Sequence, residues 1–286
     1  MADAKSAPRF RAAPLRSPAV GKRSDPMFVN SVEKAFRVLG AFNAERPTLN
    51  LTQLADALGI DKSTVQRFAY TLEKLGYLNK DPHTKHFELT PRNLQTAYHF
   101  TQSNALIRRA MPYLLHLSQA TEEATNLSIR QETDIIYVVR FMSRHVLAAN
   151  VTAGRRLPLY CTAPGRAILS RMPADAVEAL LGQSALRAYT PHTATNVSDL
   201  MRKIGEVSAR GYAICIEEML LDDISIAAPI VDRGGTPIGA VNIAISKARC
   251  TPEMAEYRWG PLVVSTAQAI SLWSGPPEPD RWVTGT

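Results

Sequence analysis

Apolar and polar positions alternate with a helical period over the first ordered part of the chain. Val32, Ala35, Phe36, Leu39 and Phe42 predict one helix, entered at Asn30 with Glu33 at capping-box spacing. Pro47 and Asn50 mark a loop. Thr52 is then placed to cap a short helix whose apolar side is Leu54, Ala55 and Leu58, closed by Gly59. Asp61 caps a further helix in which Val65, Phe68, Leu72 and Leu75 form the stripe expected to be buried. Gly76 ends it, and Tyr77 to Asn79 and His86 to Leu89 pair across a turn at Asp81-Pro82. Helix, tight turn, helix and hairpin make a winged helix-turn-helix pattern.

The pattern then changes. Pro91 to Ala120 is helical, with a break near Ser103-Asn104 and apolar groups on more than one side. That suits either a contact between two copies of the chain or packing within one. Thr125 to Arg130, Ile135 to Phe141 and Val146 to Val151 read as strands, and Ala163 to Met172 and Ala174 to Leu181 as helices. A loop from Pro191 leads to a helix that starts at Val197 and ends at Gly211. Tyr212 to Glu217, Ile224 to Val231 and Ile238 to Ser246 are strand-like, the last two joined by the turn Asp232 to Gly235. A helix from about Pro252 to Leu272 follows. The order predicts an α+β domain with one antiparallel sheet flanked by helices. The expected division is a disordered basic tail at 1–28, a DNA-binding domain at 29–91, a linker helix at 92–104, an effector domain at 105–273 and a flexible tail at 274–286.

Charge sharpens this division. Residues 1–92 hold 15 Lys/Arg against 9 Asp/Glu, while residues 93–286 hold 18 against 17. Nearly all of the net +7 therefore lies with the helix-turn-helix, where phosphate attraction would use it. Six of those cations precede the fold and suit a solvated tail equally well. Lys62, Ser63, Thr64, Gln66, Arg67 and Tyr70 are the candidate DNA contacts, with Lys85 in the wing. Arg67 and Gln66 suit base edges, and the residues at the helix start suit phosphates. For Thr64 the ordinary alternative is a first-turn hydroxyl bonded locally, and for Lys85 a solvated charge.

Other chemistry is sparse. Cys161, Cys215 and Cys250 are scattered and odd in number, which argues against a disulfide framework and for ordinary thiols in a reducing compartment. No apolar run approaches the roughly 18 residues of a membrane span, and the basic N-terminus has no apolar signal core, so a cytoplasmic protein is expected. His83 and His86 lack a third ligand, and no catalytic set, metal site or cofactor motif is recognised. Arg140 ends an apolar strand and is expected to pair with an acidic neighbour, although it also suits a ligand carboxylate.

These residues, taken together, resemble the IclR family of bacterial transcriptional regulators over roughly residues 29–273. The likeness is carried by Ser31 to Ala35, Leu51 to Ala55, Gly59 to Thr64, Arg67 and Leu75-Gly-Tyr77. In the second half it is carried by Gly154 to Thr162, Gly165 to Leu169, Gly211 to Ala213, Glu218 and Ile226 to Pro229. The stretches RLPLYCT and AYTPHT look most like the branch that senses aromatic acids such as protocatechuate and 4-hydroxybenzoate. The resemblance implies a dimerising DNA-binding domain, a GAF-like effector domain and a homodimer or homotetramer without catalysis. It also implies an effector between the sheet and Tyr160 to Gly165; the candidate contacts are Tyr160, Cys161, Ala163, Gly165, Cys215, Ser225 and Asn242, with small core residues the ordinary alternative for Cys161, Cys215 and Ser225. Gly165, in the first turn of a helix, would suit a carboxylate. Three features depart from the family pattern: Pro164 has no N–H, Cys215 replaces a common Asp, and Ser225, Asn242 and Ala244 replace common Cys and Ser residues. They leave room for a larger, less polar ligand such as a ring. A cysteine-based redox or metal sensor and, less favoured, a small-molecule enzyme are the competing readings.

Overall fold

The computed structural model describes residues 26–145 and 152–272. The tails and the strand expected at Val146 to Val151 lie outside the described residues, apart from the tail residues 26–28. The chain divides into two compact units between Ser103 and Asn104.

The first unit contains α1 (Asn30–Leu39), β1 (Thr48–Leu49), α2 (Leu51–Leu58), α3 (Lys62–Lys74), β2 (Leu78–Lys80), β3 (Phe87–Leu89) and α4 (Arg92–Ser103). Asn50, not Thr52, caps α2: its side chain accepts from the Gln53 amide at 3.0 Å while Gln53 Oε1 accepts from the Asn50 amide. The capping box expected at Asn30 is absent; Val29 occupies the cap position and makes no side-chain cap bond. Gly59 adopts the left-handed conformation at φ 64°, and Arg37 donates to the Leu58 carbonyl at 2.6 Å, so α1 braces the turn between α2 and α3. Val38, Phe42, Leu49, Leu54, Val65, Ala69, Leu72, Leu78 and Phe87 make one core. Two predicted core positions of α1, Val32 and Phe36, are instead exposed. In α3 the buried stripe is Val65, Ala69 and Leu72; Phe68 is half-buried, and Leu75, already past the last helical turn, is exposed. β1, β3 and β2 form a small antiparallel sheet, which is the wing.

The second unit begins with α5 (Ala105–Thr121), whose cap Asn104 accepts from the Ile107 amide. There follow β4 (Ala124–Gln131), β5 (Asp134–Phe141), β6 (Arg156–Pro158), α6 (Ala163–Leu169), α7 (Ala174–Gln183), α8 (Val197–Arg210), β7 (Ala213–Ile216), β8 (Asp223–Val231), β9 (Pro237–Ser246) and α9 (Pro252–Ser271). The six strands form one antiparallel sheet in the order β6-β5-β4-β9-β8-β7. Side chains alternate across it. Tyr137, Cys215, Ala227 and Ala240 join a core with residues of α6, α7 and α8. The alternate positions, among them Leu127, Val241, Ile243 and Ile226, are buried on the side where α5 and α9 pack against β4, β8 and β9.

Candidate DNA surface and effector wall

The exposed side of α3 gathers the sequence-predicted DNA set. Lys62, Ser63, Gln66, Arg67 and Tyr70 are exposed and share one face by their spacing. Asp61 organises the helix start: it accepts from the Thr64 amide at 2.8 Å and the Ser63 hydroxyl at 2.6 Å. Ser63 and Thr64 thereby hold the Asp61 carboxyl well below its usual range. Thr64 is half-buried and Ser63 is engaged, so both hydroxyls are less available than Lys62, Gln66 and Arg67. Tyr70 lies one turn further on, with the Lys74 ammonium 5.3 Å from its ring centre. At the wing tip Asp81 accepts from the amides of His83 and Thr84, and Lys85, at φ 60°, donates to the Pro82 carbonyl at 2.6 Å.

In the second unit, a row of polar side chains crosses five strands on the face toward α6. Cys215 stands opposite Ser225, Ala227 opposite Asn242, Asn242 opposite Asn126, and Asn126 opposite Arg140. Asn242 donates to Ser225 Oγ at 3.2 Å and Arg140 donates to Asn126 Oδ1 at 2.7 Å. Asn126, Ser128 and Asn242 are 0 % exposed. Asn126 Nδ2, Ser128 Oγ, Asn242 Oδ1 and Arg140 Nε are nevertheless buried without a hydrogen-bond partner among the described residues. An unmade bond at a buried polar atom costs about 1–3 kcal/mol, so four on one wall need a reason. Tyr137, Arg155 and Asp223 are close enough for their charges to act on this row. Burial raises the Tyr137 phenol to about 12 and the Asp223 carboxyl to about 7, the latter opposed by Arg140.

The covering segment is held by its own bonds. Tyr160 is buried, and its hydroxyl donates to the Arg187 carbonyl at 2.6 Å and accepts from the Arg187 amide at 2.8 Å. Cys161 Sγ lies 3.7 Å from Met219 Sδ. Ala163 is 0 % exposed in the α6 core. The Gly165 amide donates to Thr162 Oγ1 at 3.3 Å, which takes the donor that sequence reading assigned to a carboxylate. Gly165 has a packing role instead, because a Cβ there would overlap the Leu159 backbone. Arg166, 2 % exposed, forks onto Glu218, with Nη1 to Oε1 at 2.6 Å, and also donates to the Tyr160 carbonyl and to Cys215 Sγ. Lys203 adds a second cation on Glu218 at 3.0 Å. Burial would raise Glu218, but Arg166 and then Lys203 outweigh it and hold the carboxyl below its ordinary value.

Burial also pushes the Cys161 thiol far up and the Cys215 thiol to about 11, so the reactive thiolate is scarce at both. Sequence reading missed Asn126, Ser128, Tyr137 and Asp223 as members of the wall. For Arg140 it expected an acidic partner, whereas the bonded partner is the Asn126 amide. The available signal was the polar pair Asn126 and Ser128 at alternating positions of β4, on either side of Leu127.

Two family models match the chain: the IclR helix-turn-helix domain over residues 31–82 and the bacterial transcriptional regulator IclR C-terminal domain over residues 98–272. The Pca regulon regulatory protein of Pseudomonas putida is 30% identical over 247 residues, covering 86% of this chain and 84% of that protein. The HTH-type transcriptional regulator KdgR of Escherichia coli (strain K12) is 31% identical over 233 residues, covering 81% and 88%. The crystal structure of an IclR transcriptional regulator from Alicyclobacillus acidocaldarius matches with a TM-score of 0.77 at 25% identity, covering 87% of this chain and 100% of that one. With an exposed polar face on α3, a wing and a separate sheet domain of the matched type, the chain belongs to the IclR family and is a DNA-binding transcriptional regulator with a C-terminal effector-binding domain, not an enzyme.

Proposed function

We propose that α3 reads an operator and that a small aromatic carboxylate in the second unit modulates that binding. Arg67 and Gln66 reach base edges from the exposed side of α3, Lys62 and the wing residue Lys85 meet phosphates, and Ser63, Thr64 and Tyr70 complete the surface. Cys215, Ser225 and Asn242 supply the polar wall of the effector site, and Tyr160, Cys161, Ala163 and Gly165 enclose it. The observation that carries the effector reading is the set of unpartnered atoms on Asn126, Ser128, Arg140 and Asn242. A ligand that bonds them relieves their desolvation. Ala213, Ala227 and Ala240 are small, apolar and buried near those groups, so the wall mixes apolar and polar positions as a ring with polar substituents would need. A Pca regulon regulator and KdgR are similar to the chain at nearly equal identity, so the wall's chemistry, not the ranking, supports an aromatic acid.

The same reading makes the chain a cytoplasmic homodimer or homotetramer. It treats 29–91 as the DNA-binding domain, 92–104 as the linker helix and 105–273 as the effector domain. α4 has no buried residue, and it exposes Leu94 and Tyr98 by 70% and 61%; a second copy of the chain covers such a helix best. Fluorescence anisotropy on DNA from the protein's own upstream region, at several salt concentrations, tests the reading. Saturable binding tighter than to random DNA, lost in Arg67→Ala and shifted by 4-hydroxybenzoate or protocatechuate, supports it. Equal, salt-labile affinity for every sequence would sink the operator claim.

A further inference from the structure

Arg166 and Arg140 are both drawn into the second unit, and the fold treats them differently. Arg166 is matched to Glu218 through two hydrogen bonds. Arg140 is half-buried, yet none of the ion pairs among the described residues includes it. Among the described residues its one bonded partner is the neutral side chain of Asn126, and its Nε–H is buried with no partner there. Removing a cation from water without a counter-ion is strongly unfavourable, and an unpaired N–H adds to it. The carboxyl whose charge reaches Arg140 is Asp223, which burial leaves only partly ionised near neutral pH. Arg140 therefore has no full counter-charge among the described residues. An anion from outside the chain corrects it.

We infer that Arg140 is the anchor for the effector's carboxylate, with Asn126 fixing the orientation of the guanidinium; this rests on the effector reading above. The inference moves the anionic end of the ligand from the start of α6 to the sheet. At α6, Pro164 has no amide hydrogen, and the amides of Gly165 and Arg166 already bond to Thr162. At the sheet, the free Nε edge of Arg140 suits a side-on fork onto a carboxylate. Asn242 lies two strands from Arg140, about 10 Å at normal strand spacing. Its unpartnered Oδ1 accepts a hydrogen bond and so selects a donor such as a hydroxyl at the far end of the ligand.

Isothermal titration calorimetry on the full chain separates the alternatives by comparing each acid with its neutral amide. Suitable pairs are benzoate and benzamide, 4-hydroxybenzoate and 4-hydroxybenzamide, and lactate and lactamide. Wild-type protein should bind an acid about 10- to 100-fold tighter than its amide. Arg140→Gln should bring that ratio close to one, with thermal melting checking that the variant is folded. Arg140→Lys should give an intermediate ratio, because the charge remains and the fork does not. A folded Arg140→Gln protein that keeps the wild-type ratio overturns the anchor and leaves the aromatic reading standing. If Arg140→Gln does not fold, an undiminished ratio in Arg140→Lys overturns it instead. Binding of lactate but of no aryl acid refutes the aromatic reading, while the lactate-to-lactamide ratio still decides Arg140. Wild-type protein that prefers no acid over its amide overturns both.

Discussion

The two units each carry a row of polar side chains, and the rows differ in almost every physical respect. On α3 the row is local in sequence, spaced by helix turns and exposed. On the sheet it is built from five strands and buried, and four of its atoms and of its neighbour Ser128 lack partners. An exposed row is hydrated without DNA, so its presence alone says little about a ligand. A buried row with unmade bonds is unfavourable by about 1–3 kcal/mol per atom, so it is the stronger physical sign of a ligand. The difference teaches that the site easier to read from sequence is not the one that the structure argues for most strongly.

The comparison can be broken in several places. The largest effect is expected behind the buried wall. Glu218→Ala leaves Arg166 charged and buried, and should destabilise the protein by about 3–5 kcal/mol in denaturant unfolding; a loss below about 1 kcal/mol would mean that the pair is well solvated. On the exposed row, Arg67→Ala should weaken operator binding by about 1–3 kcal/mol while barely changing affinity for random DNA. Lys62→Ala should weaken both alike and reduce the salt slope by about one. Ser128→Ala removes an unpartnered buried hydroxyl, so the ligand-free protein should be unchanged or more stable by about 1 kcal/mol. Clear destabilisation in equilibrium unfolding would mean that this hydroxyl is satisfied.

The smallest effect is pH-dependent. Asp223 is raised to about 7 in the folded protein, so it keeps a proton that the unfolded chain has lost above its ordinary value near 3.8. Between about pH 4 and 7 the native state therefore binds more protons, and Asp223 makes stability fall as pH rises. Asp223 as a residue is half-buried, so solvent screening should keep the slope below about 1 kcal/mol per pH unit. Asp223→Asn should flatten it, as read from unfolding midpoints across that range.

Much of the first unit was legible because its determinants lie within a few residues of one another. Gly59, Asp61 and the alternation on α3 are all local. Even there, periodicity did not say which apolar side of α1 meets the core, so Val32 and Phe36 were placed inside and are exposed. Asn50 and Thr52 both suit a cap; the reciprocal bond with Gln53 selects Asn50. In the second unit the strands were legible, but their register was not. Asn126 and Arg140 are 14 residues apart, Ser225 and Asn242 17 apart, and Arg166 and Glu218 52 apart. Arg140 was expected to pair with an acidic neighbour, and Glu132 and Asp134 are the acids close to it in the same hairpin. The antiparallel pairing instead gives both to Arg156 and sets Arg140 beside Asn126.

The central claim is that a ligand on the buried row changes DNA affinity. Its most direct test is the ratio of operator affinities with and without 4-hydroxybenzoate, measured for wild-type protein and for Asn242→Leu. The account predicts a ratio clearly different from one in the wild type and close to one in the variant. The same ratio in both proteins would show that the row is not where the effector acts.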